Sequence, residues 1–148
     1  MPHGFVPPDF TVPRNVVLGE FRLEPLGPEH NASDYAAWTS SIDHIRATPG
    51  FPWGTWPVSM IPDANLRDLE MHAEDFRVRK GFTYTVLDPA GKVVGCVYIY
   101  PSKTQGIDAH VRSWVSQERG NMDLPLAEAL REWLRADWPF RTIDYREA

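Results

Sequence analysis

One continuous stretch, Lys92 to Trp138, limits the folds open to this chain more than any other feature. It consists of a strand KVVGCVYIYP, a second strand DAHVRSWVS, a polar loop QERGNM and a helix DLPLAEALREWLRADW. Apolar residues alternate in the strands and recur at spacings of three and four in the helix. A strand that leads into a helix presents amide N–H groups without internal partners. We therefore expect an anionic or carbonyl ligand near this loop.

Strand patterns occur on both sides of this stretch. VVLGEFRLEPL, residues 16–26, alternates with period two and predicts a half-buried strand, which Pro25 places at a sheet edge. FTYTVLD is followed by the turn residues 88–91 and then by KVVGCVYIYP, which predicts a hairpin. FRTIDY, near the end of the sequence, predicts a last strand.

Two helices are predicted between the first strand and the hairpin. Apolar residues at helical spacing indicate one helix within residues 28–48 and a second that begins near Asp63 or Asn65 and closes at Gly81. The predicted order is strand, two helices, three strands, helix, strand. This order contains no repeat and no linker, so residues 16–148 form one predicted domain, preceded by an extended arm, residues 1–15, that contains four prolines.

Composition excludes several classes of protein. The net charge of -5 and the scattered Lys and Arg argue against a nucleic-acid partner, which requires a clustered basic surface. No apolar run approaches the roughly 20 residues that span a bilayer. Cys96 is the single cysteine, so an internal disulfide is impossible and a thiolate metal site is disfavoured. We expect a soluble, cytoplasmic protein without a metal or a membrane partner.

The element order resembles the GCN5-related N-acetyltransferase (GNAT) superfamily. The family's pyrophosphate loop has Arg or Gln, two residues, Gly, one residue, and Gly or Ala. Gln117 and the pair Arg119-Gly120 match it, whereas Met122 and Leu124 stand where small residues are usual, so the loop is degenerate. The resemblance implies an α/β (α+β) fold with a mixed, mostly antiparallel sheet flanked by helices. It also implies acetyl-CoA as co-substrate, in a gap beside a splayed strand.

The resemblance also implies a cofactor site. Main-chain N–H groups before the loop would polarise the thioester carbonyl, and the loop would hold the pyrophosphate. The implied residues are Trp114, Val115, Gln117, Glu118, Arg119, Gly120 and Asn121. A second interpretation stays open, in which Asp123 caps the helix and Gly120 supplies a turn. Family members usually continue into a further helix, often with a tyrosine general acid, and this C-terminally short sequence ends at Ala148. Three alternatives stay open: another chain completes the sheet, the site works without those parts, or the activity has been lost.

Asp108 and His110 are the candidate catalytic residues. They lie two apart on a predicted strand, so their side chains share a face with Arg112. Histidine or a carboxylate can take a proton from an ammonium nucleophile near neutral pH. The alternative is a solvated strand face with cross-strand ion pairs.

Four aromatic residues are candidates for the substrate pocket. Trp53 and Trp56 lie in a loop rich in Gly and Pro. Tyr98 and Tyr100 lie two apart on the predicted strand KVVGCVYIYP, so their side chains share one face of it. The alternative for Trp53 and Trp56 is that they cap the core or a dimer interface. The alternative for Tyr98 and Tyr100 is a place in the core, where aromatic strand residues are found more often. Elsewhere, Cys96 is expected to be a buried thiol, and the spacing of His72 and Asp68 predicts an ordinary helical pair rather than a metal site.

The leading hypothesis is an acetyl-CoA-dependent N-acetyltransferase that acts on a small amine or an amino terminus by direct transfer. The rival is a non-catalytic GNAT-like module that binds a ligand or protein partner through its cleft or open sheet edge. Both predict a homodimer, because an exposed last strand is unstable unless it is paired or covered.

Overall fold

A computed structural model of the protein describes residues 4–51, 57 and 61–146. It contains six strands and four α-helices in these residues. They are β1 Val16–Leu18, β2 Phe21–Pro25, α1 Asn31–Thr39, α2 Ile42–Arg46, α3 Pro62–Arg77, β3 Phe82–Leu87, β4 Val93–Pro101, β5 Ala109–Val115, α4 Asp123–Asp137 and β6 Ile143–Asp144. Short 3-10 segments, Pro28–His30 and Gln117–Met122, precede α1 and α4.

The six strands form one mixed sheet in the order β1-β2-β3-β4-β5-β6. The first five pair antiparallel with their neighbours, and β6 runs parallel to β5. A parallel last strand needs a crossover, which α4 supplies. The predicted fold class, a mostly antiparallel mixed sheet flanked by helices, is confirmed.

The hairpin of β3 and β4 was predicted correctly and forms the centre of the sheet. Its turn is stabilised by Asp88, whose Oδ1 accepts hydrogen bonds from the amides of Ala90 and Lys92, both at 2.9 Å. Gly91 supplies the left-handed backbone, with φ of +85°. Both strands are almost wholly buried, because helices cover the two faces of the sheet.

The prediction of a single strand over residues 16–26 is wrong. The chain reverses at Gly19, whose φ is +62°, and the segment becomes the hairpin of β1 and β2. Alternation is the same on either side of so tight a turn, so periodicity does not reveal it. Pro25 is not on an edge strand, since β2 lies between β1 and β3; it ends that strand.

Two helical predictions also need correction. The helix predicted within residues 28–48 is divided into α1 and α2 at Ser40, whose hydroxyl donates to the carbonyls of Ala36 and Ala37. The next helix, α3, begins at Pro62 and ends at Arg77, before the predicted Gly81. No side chain caps its first turn.

Separate apolar cores lie on the two faces of the sheet. One face packs against α4, where Leu126, Leu130 and Leu134 are fully buried. The other packs against α1 and α3 around Trp38 and Trp114. Burial of each such side chain contributes roughly 1.5–3 kcal/mol, so the two helical layers fix the strands between them.

The N-terminal arm packs on the α4 side of the molecule. Val6 is buried in that core, and Tyr84 donates a hydrogen bond of 2.6 Å to the Pro13 carbonyl. Arg79 donates to the carbonyls of Pro7 and Phe10 at 2.8 and 3.0 Å. The division of the chain at residue 15 stays a prediction. None of the described helices has the length and apolar character needed to cross a bilayer.

Candidate active site

The main structural feature of the site is a gap between β5 and β6. Among the described residues, the two strands pair at Ala109 with Ile143 and at His110 with Asp144; β6 ends there, whereas β5 continues to Val115. The side chains of Tyr145 and Arg146 contact Ser113 in the space beside β5. The Arg146 guanidinium donates to the Ser113 carbonyl at 2.7 Å.

Main-chain groups of alternate residues of β5 face this gap. The Ser113 carbonyl points towards it, whereas the Trp114 carbonyl points towards β4, where it would overlap a Cβ placed on Gly95. In a strand the N–H and C=O of one residue point the same way, and successive residues alternate. Of the two predicted donors, Val115 therefore faces the gap. Trp114 faces β4, which contradicts its predicted role as a main-chain donor to the cofactor.

Arg146 and Asp123 form a buried ion pair at the mouth of the gap. The Arg146 side chain is 4% exposed and that of Asp123 is 18% exposed. Asp123 makes no side-chain capping bond at the start of α4; Met122 occupies the N-cap position. The interpretation of Asp123 as a helix cap is therefore wrong. The Asp123 carboxylate binds the Arg146 guanidinium instead.

The loop after β5 is wound into the 3-10 segment Gln117–Met122 and is tied to α1 and α2. The amide of Gln117 donates to the Ser41 hydroxyl at 2.8 Å. The His44 ring approaches Gly120 so closely that a Cβ there would lie 3.3 Å from the ring. A side chain at position 120 would require the His44 ring to shift by a few tenths of an ångström, and Asn121 follows within the same 3-10 segment.

The charged residues of the loop are paired with the β3–β4 turn. Arg119 donates to Asp88 at 2.8 Å, and Lys92 donates to Glu118 at 2.6 Å. The amides of Lys92 and Ala90 hold the pKa of Asp88 below its ordinary value. This turn therefore anchors the loop, and the Arg119 side chain is engaged by protein.

A cleft of about 570 Å³ borders the loop on the α1 side. Its walls are small or polar, which leaves room beside the first turn of the loop. They include Ser33, Ala36, Ala37, Ser40, Ser41, Lys92, Val93, Ser116, Gln117 and Glu118. Ser116 is 3% exposed, and its hydroxyl has no hydrogen-bond partner among the described residues. A hydroxyl in this position can bind an oxygen-rich ligand.

The two candidate catalytic residues are not brought into one site. Asp108 lies just before β5, and its Oδ2 accepts hydrogen bonds from the amides of Arg141 and Thr142 at 2.7 and 3.3 Å. His110 Nδ1 lies 3.0 Å from Asp144 Oδ2, at the exposed surface. The expected shared strand face is wrong, because Asp108 belongs to the connection. Their catalytic role stays a prediction.

A second cavity, of about 240 Å³, lies between α1 and α3 above the sheet. We call it the acidic pocket. Its lining is Leu26, Asp34, Asn65, Asp68, Leu69, Met71, His72, Tyr98 and Arg112. Most of its polar residues come from the two helices, whereas Tyr98 and Arg112 face each other across β4 and β5.

Asp34 is buried in this pocket at 4% exposure. Burial raises its pKa to about 6, although Asn65 donates a hydrogen bond of 3.3 Å to its carboxylate. Asn65 also accepts from the Trp38 indole at 3.0 Å and donates to Asn31 at 2.8 Å. This network fixes α1 against α3 and holds a carboxylate at the pocket wall.

His72 contacts two hydroxyl groups at the side of the pocket. Its Nδ1 lies 3.0 Å from the Tyr100 hydroxyl and 3.0 Å from the Thr83 hydroxyl. Tyr100 in turn donates to Asp75 at 2.8 Å. Burial lowers the pKa of His72, so the imidazole is mainly neutral at pH 7.

The predicted substrate residues divide into two pairs. Tyr98 lines the acidic pocket, and its hydroxyl accepts a hydrogen bond of 3.0 Å from the Trp114 indole. Tyr100 orients His72 at the edge of the same pocket. Trp53 and Trp56 lie outside the described residues. Cys96 is fully buried, and burial raises its pKa, as expected for an unreactive thiol.

Sequence reasoning did not select Asp34, His72 or Arg112 as members of one site. Asp68, His72 and Asp75 share a helix face, but their spacing equally indicates a surface pair. Asp34 lies next to the apolar stripe of its helix, which is the one local sign that it is buried. No group of three or more potential metal ligands is found in the part of the chain that the structure describes.

Several solved structures that are similar to this chain are named as acetyltransferases. They include the ribosomal-protein-S5-alanine acetyltransferase from Vibrio fischeri, with a TM-score of 0.60 and 13% identity over 84% of this chain and 69% of that one. The ribosomal L7/L12 α-N-protein acetyltransferase RimL has a TM-score of 0.61 and 12% identity over 86% and 72% of the two chains. The chain has the GNAT fold. A scan of protein-family models and a search of curated proteins gave no match.

A third solved structure with the GNAT fold contains ligands. The microcin C7 self-immunity acetyltransferase MccE, in complex with acetyl-CoA and AMP, has a TM-score of 0.58 and 12% identity, over 82% of this chain and 67% of that one. Likeness at this identity establishes the fold.

Proposed function

We propose that this protein transfers an acetyl group from acetyl-CoA to an amino group by direct attack, without a covalent enzyme intermediate. The observation that carries the proposal is the part of β5, Val111 to Val115, that has no strand partner on the gap side among the described residues. Alternate residues of this part present their backbone groups to the gap, and the strand leads at once into the segment Gln117–Met122 and α4. This arrangement offers main-chain donors and a helix start to one elongated, anionic ligand.

Particular groups suit the parts of such a ligand. The amide of Val115 is placed to donate to a thioester carbonyl, which stabilises the charge that develops on oxygen during attack. The hydroxyls of Ser41 and Ser116 border the cleft next to the loop and can donate to phosphate oxygens. Bound acetyl-CoA would supply the activated acetyl group. For acetyl-CoA to bind, the side chains of Tyr145 and Arg146 must move out of part of the gap.

The acceptor in this proposal is a small amine or an amino terminus. Two of the structural neighbours are named for acetylation of ribosomal proteins, one at an alanine and one at an α-amino group. An amino acceptor also agrees with the acidic pocket, which lies on the opposite side of β5 from α4 and is lined by carboxylates. The identity of the acceptor is part of the proposal.

Calorimetry with acetyl-CoA, and separately with CoA, tests the proposal. A specific ligand at a hundred times its dissociation constant adds about 2.7 kcal/mol to the free energy of unfolding. Amide hydrogen exchange should show protection at residues 113–122. An unchanged melting temperature at saturating acetyl-CoA would remove the basis of the proposal.

A matched pair of variants localises the binding. Gly120→Leu introduces a side chain 3.3 Å from the His44 ring and should weaken acetyl-CoA binding at least tenfold. Gly4→Leu makes a similar approach, 3.3 Å from the Val6 carbonyl, in the N-terminal arm and serves as the control. Equal affinity for acetyl-CoA in the two variants would argue against binding at the segment Gln117–Met122.

A non-catalytic module is the second candidate, and the pairing of the loop residues favours it. Arg119 is bound to Asp88 and the Gln117 amide is bound to Ser41, so both would have to change partners to bind a pyrophosphate. Such a module would bind a partner through the gap or the sheet edge. Acetyl-CoA binding with turnover excludes this candidate.

The proposal includes a cytoplasmic homodimer. In the described chain, β6 has a strand neighbour on one side only, and a second copy would cover the other side. Light scattering at micromolar concentration should give twice the mass of one chain. Monomer alone would contradict this part of the proposal.

A further inference from the structure

The hydrogen bonds around His72 favour one of the two tautomers of its ring. Tyr100 has one hydroxyl hydrogen, and it is donated to Asp75. The Tyr100 oxygen, 3.0 Å from His72 Nδ1, can therefore only accept in that contact, which favours the tautomer with the proton on Nδ1. In that tautomer Nε2 carries the lone pair of the neutral ring. Among the described residues no hydrogen-bond donor or acceptor contacts Nε2.

Asp75, Tyr100 and His72 thus form a relay in which each group orients the next. A base held in one tautomer by a hydroxyl and a carboxylate is the arrangement used to prepare a nitrogen for proton abstraction. Thr83, at 3.0 Å from Nδ1, gives the ring a second hydrogen-bonding contact. His72 lines the acidic pocket, whereas Asp75 and Tyr100 stand behind it.

The charges around the pocket favour a cation. Asp34 on α1 and Asp68 on α3 line it, and Asp75 lies behind His72. The one guanidinium in the lining, Arg112, rests 5.0 Å from the centre of the Tyr98 ring and 5.1 Å from that of Phe51. The wall of carboxylates can therefore attract an ammonium group.

The size of the pocket limits its occupant. About 240 Å³ is below the usual range of roughly 300–1,000 Å³ for sites that hold drug-sized ligands. A small primary amine, or the first residue of a polypeptide, suits this volume. Leu26 and Leu69 supply apolar contacts for a short side chain.

The pocket and the gap lie beside consecutive residues of one strand. Arg112 directs its side chain into the pocket, and the next residue of β5, Ser113, directs its carbonyl into the gap. Consecutive residues of one strand therefore border both spaces. Direct attack requires an amine in the pocket to reach an acyl group in the gap past the edge of β5 at Arg112 and Ser113.

We propose that the acidic pocket binds the acceptor amine of the proposed acetyl transfer and that His72 Nε2 is the base that deprotonates it. The inference rests on the proposed function. The ammonium gives one proton to Nε2, and the free amine attacks the thioester carbon. A C–N bond forms and the C–S bond breaks; the amide nitrogen loses its second proton, and the departing CoA thiolate takes up one. The net products are the acetamide, CoA and one released proton.

Several titratable groups face His72 and contribute to its pH dependence. Asp68 and Asp75 on its own helix favour the protonated ring, whereas Arg112 on β5 opposes it. Tyr98 on β4 lies beside the imidazole, with ring centroids 5.7 Å apart. Because burial lowers the pKa of His72, the acid limb of the rate profile should lie below pH 6.5.

The decisive experiment compares two histidine variants of the full chain. CoA release from acetyl-CoA is followed with a thiol reagent, with glycinamide as acceptor, from about pH 5 to 9. His72→Gln should lower kcat/KM at least a hundredfold and remove the acid limb. His110→Gln tests the rival base predicted from sequence. Loss in His110→Gln with an intact His72→Gln profile overturns the inference.

Tyr100→Phe tests the relay separately from the base. It removes the Tyr100 oxygen and the link to Asp75 while retaining the aromatic ring and the contact of Nδ1 with Thr83. We expect kcat to fall about tenfold and the ¹⁵N spectrum of His72 to lose its single Nδ1–H tautomer. A wild-type spectrum with the proton on Nε2 would contradict the assignment directly, whatever the activity.

Failure of the proposed function has a different signature. If acetyl-CoA does not bind the wild-type protein, the proposed function fails and the inference fails with it. If acetyl-CoA binds equally well to wild type and His72→Gln and both turn over alike, the inference alone fails. Glycinamide binding, observed as amide shifts at α1 and α3, should weaken tenfold in Asp68→Asn and be absent for N-acetylglycinamide. Equal shifts with both probes would exclude an amine-binding pocket.

Discussion

Asp34 should make the protein less stable at neutral pH than it would be with a neutral side chain in its place. Its pKa is raised from the ordinary 3.8 to about 6, chiefly by burial, so the native state holds this proton more tightly than the unfolded chain does. The stability it contributes is complete below about pH 4 and is lost as the pH rises through about 6. The difference in pKa corresponds to about 3 kcal/mol.

Asp34→Asn is the perturbation that tests this reasoning. Asparagine keeps an oxygen that can accept the hydrogen bond from Asn65 and cannot ionise. At pH 7.5 we expect the variant to be more stable than wild type by about 1–3 kcal/mol, since the added NH₂ group offsets part of the gain. That corresponds to a rise in melting temperature of roughly 2–10 °C for a chain of this size.

Urea denaturation over a range of pH is the assay. Between about pH 4.5 and 7.5 the difference in stability between Asp34→Asn and wild type should widen by about 2 kcal/mol. Asp9→Asn, at an exposed position of the arm, provides the control, and its difference from wild type should stay flat. If the free energies of unfolding of Asp34→Asn and wild type differed by the same amount at every pH, the raised pKa of Asp34 would be refuted. Because Asp34 also lines the acidic pocket, we expect the stabilised variant to have a higher KM for the amine.

Three further outcomes follow from the packing. Gly95→Ala should lower the free energy of unfolding, measured by urea denaturation, by about 2 kcal/mol or more, because the added Cβ would overlap the Trp114 carbonyl. In the control Gly106→Ala the added Cβ meets no atom, so the positive φ alone should lower the free energy of unfolding by about 1 kcal/mol. Cys96 is fully buried with a raised pKa, so a thiol reagent should modify it only at the rate of unfolding; fast labelling of the native protein would contradict its burial. Asp123→Asn leaves the buried Arg146 without its charged partner and should lower the free energy of unfolding by about 2–4 kcal/mol in urea denaturation; an unchanged free energy would contradict the buried ion pair.

Much of the sheet could be predicted because its determinants are local. The alternation in β3, β4 and β5 and the Asp88 turn are properties of neighbouring residues. The helix α4 was predicted for the same reason, from its apolar stripe and Pro125 in its first turn. The misplaced boundaries, at Gly19 and Ser40, fall where a single residue redirects the chain without interrupting the pattern.

The candidate site was only partly accessible from the sequence. The loop Gln117–Met122 was found because a strand-to-helix junction is itself a sequence feature. Its contacts with Ser41 and Asp88 come from elements 76 and 31 residues away, and no local pattern reports them. Those contacts decide which donors of the loop are already used.

The sequence by itself determined the order of strands and helices, and with it a mixed sheet closed by a crossover helix, because periodicity and turn chemistry act over a few residues. Only the tertiary structure decided where the polar groups meet. Asp34, His72 and Tyr100 lie on three different elements, and they share a site because two helices pack side by side on one face of the sheet. Burial and hydrogen bonding, which change the protonation of these residues, arise from that packing and from nothing in their sequence neighbourhoods.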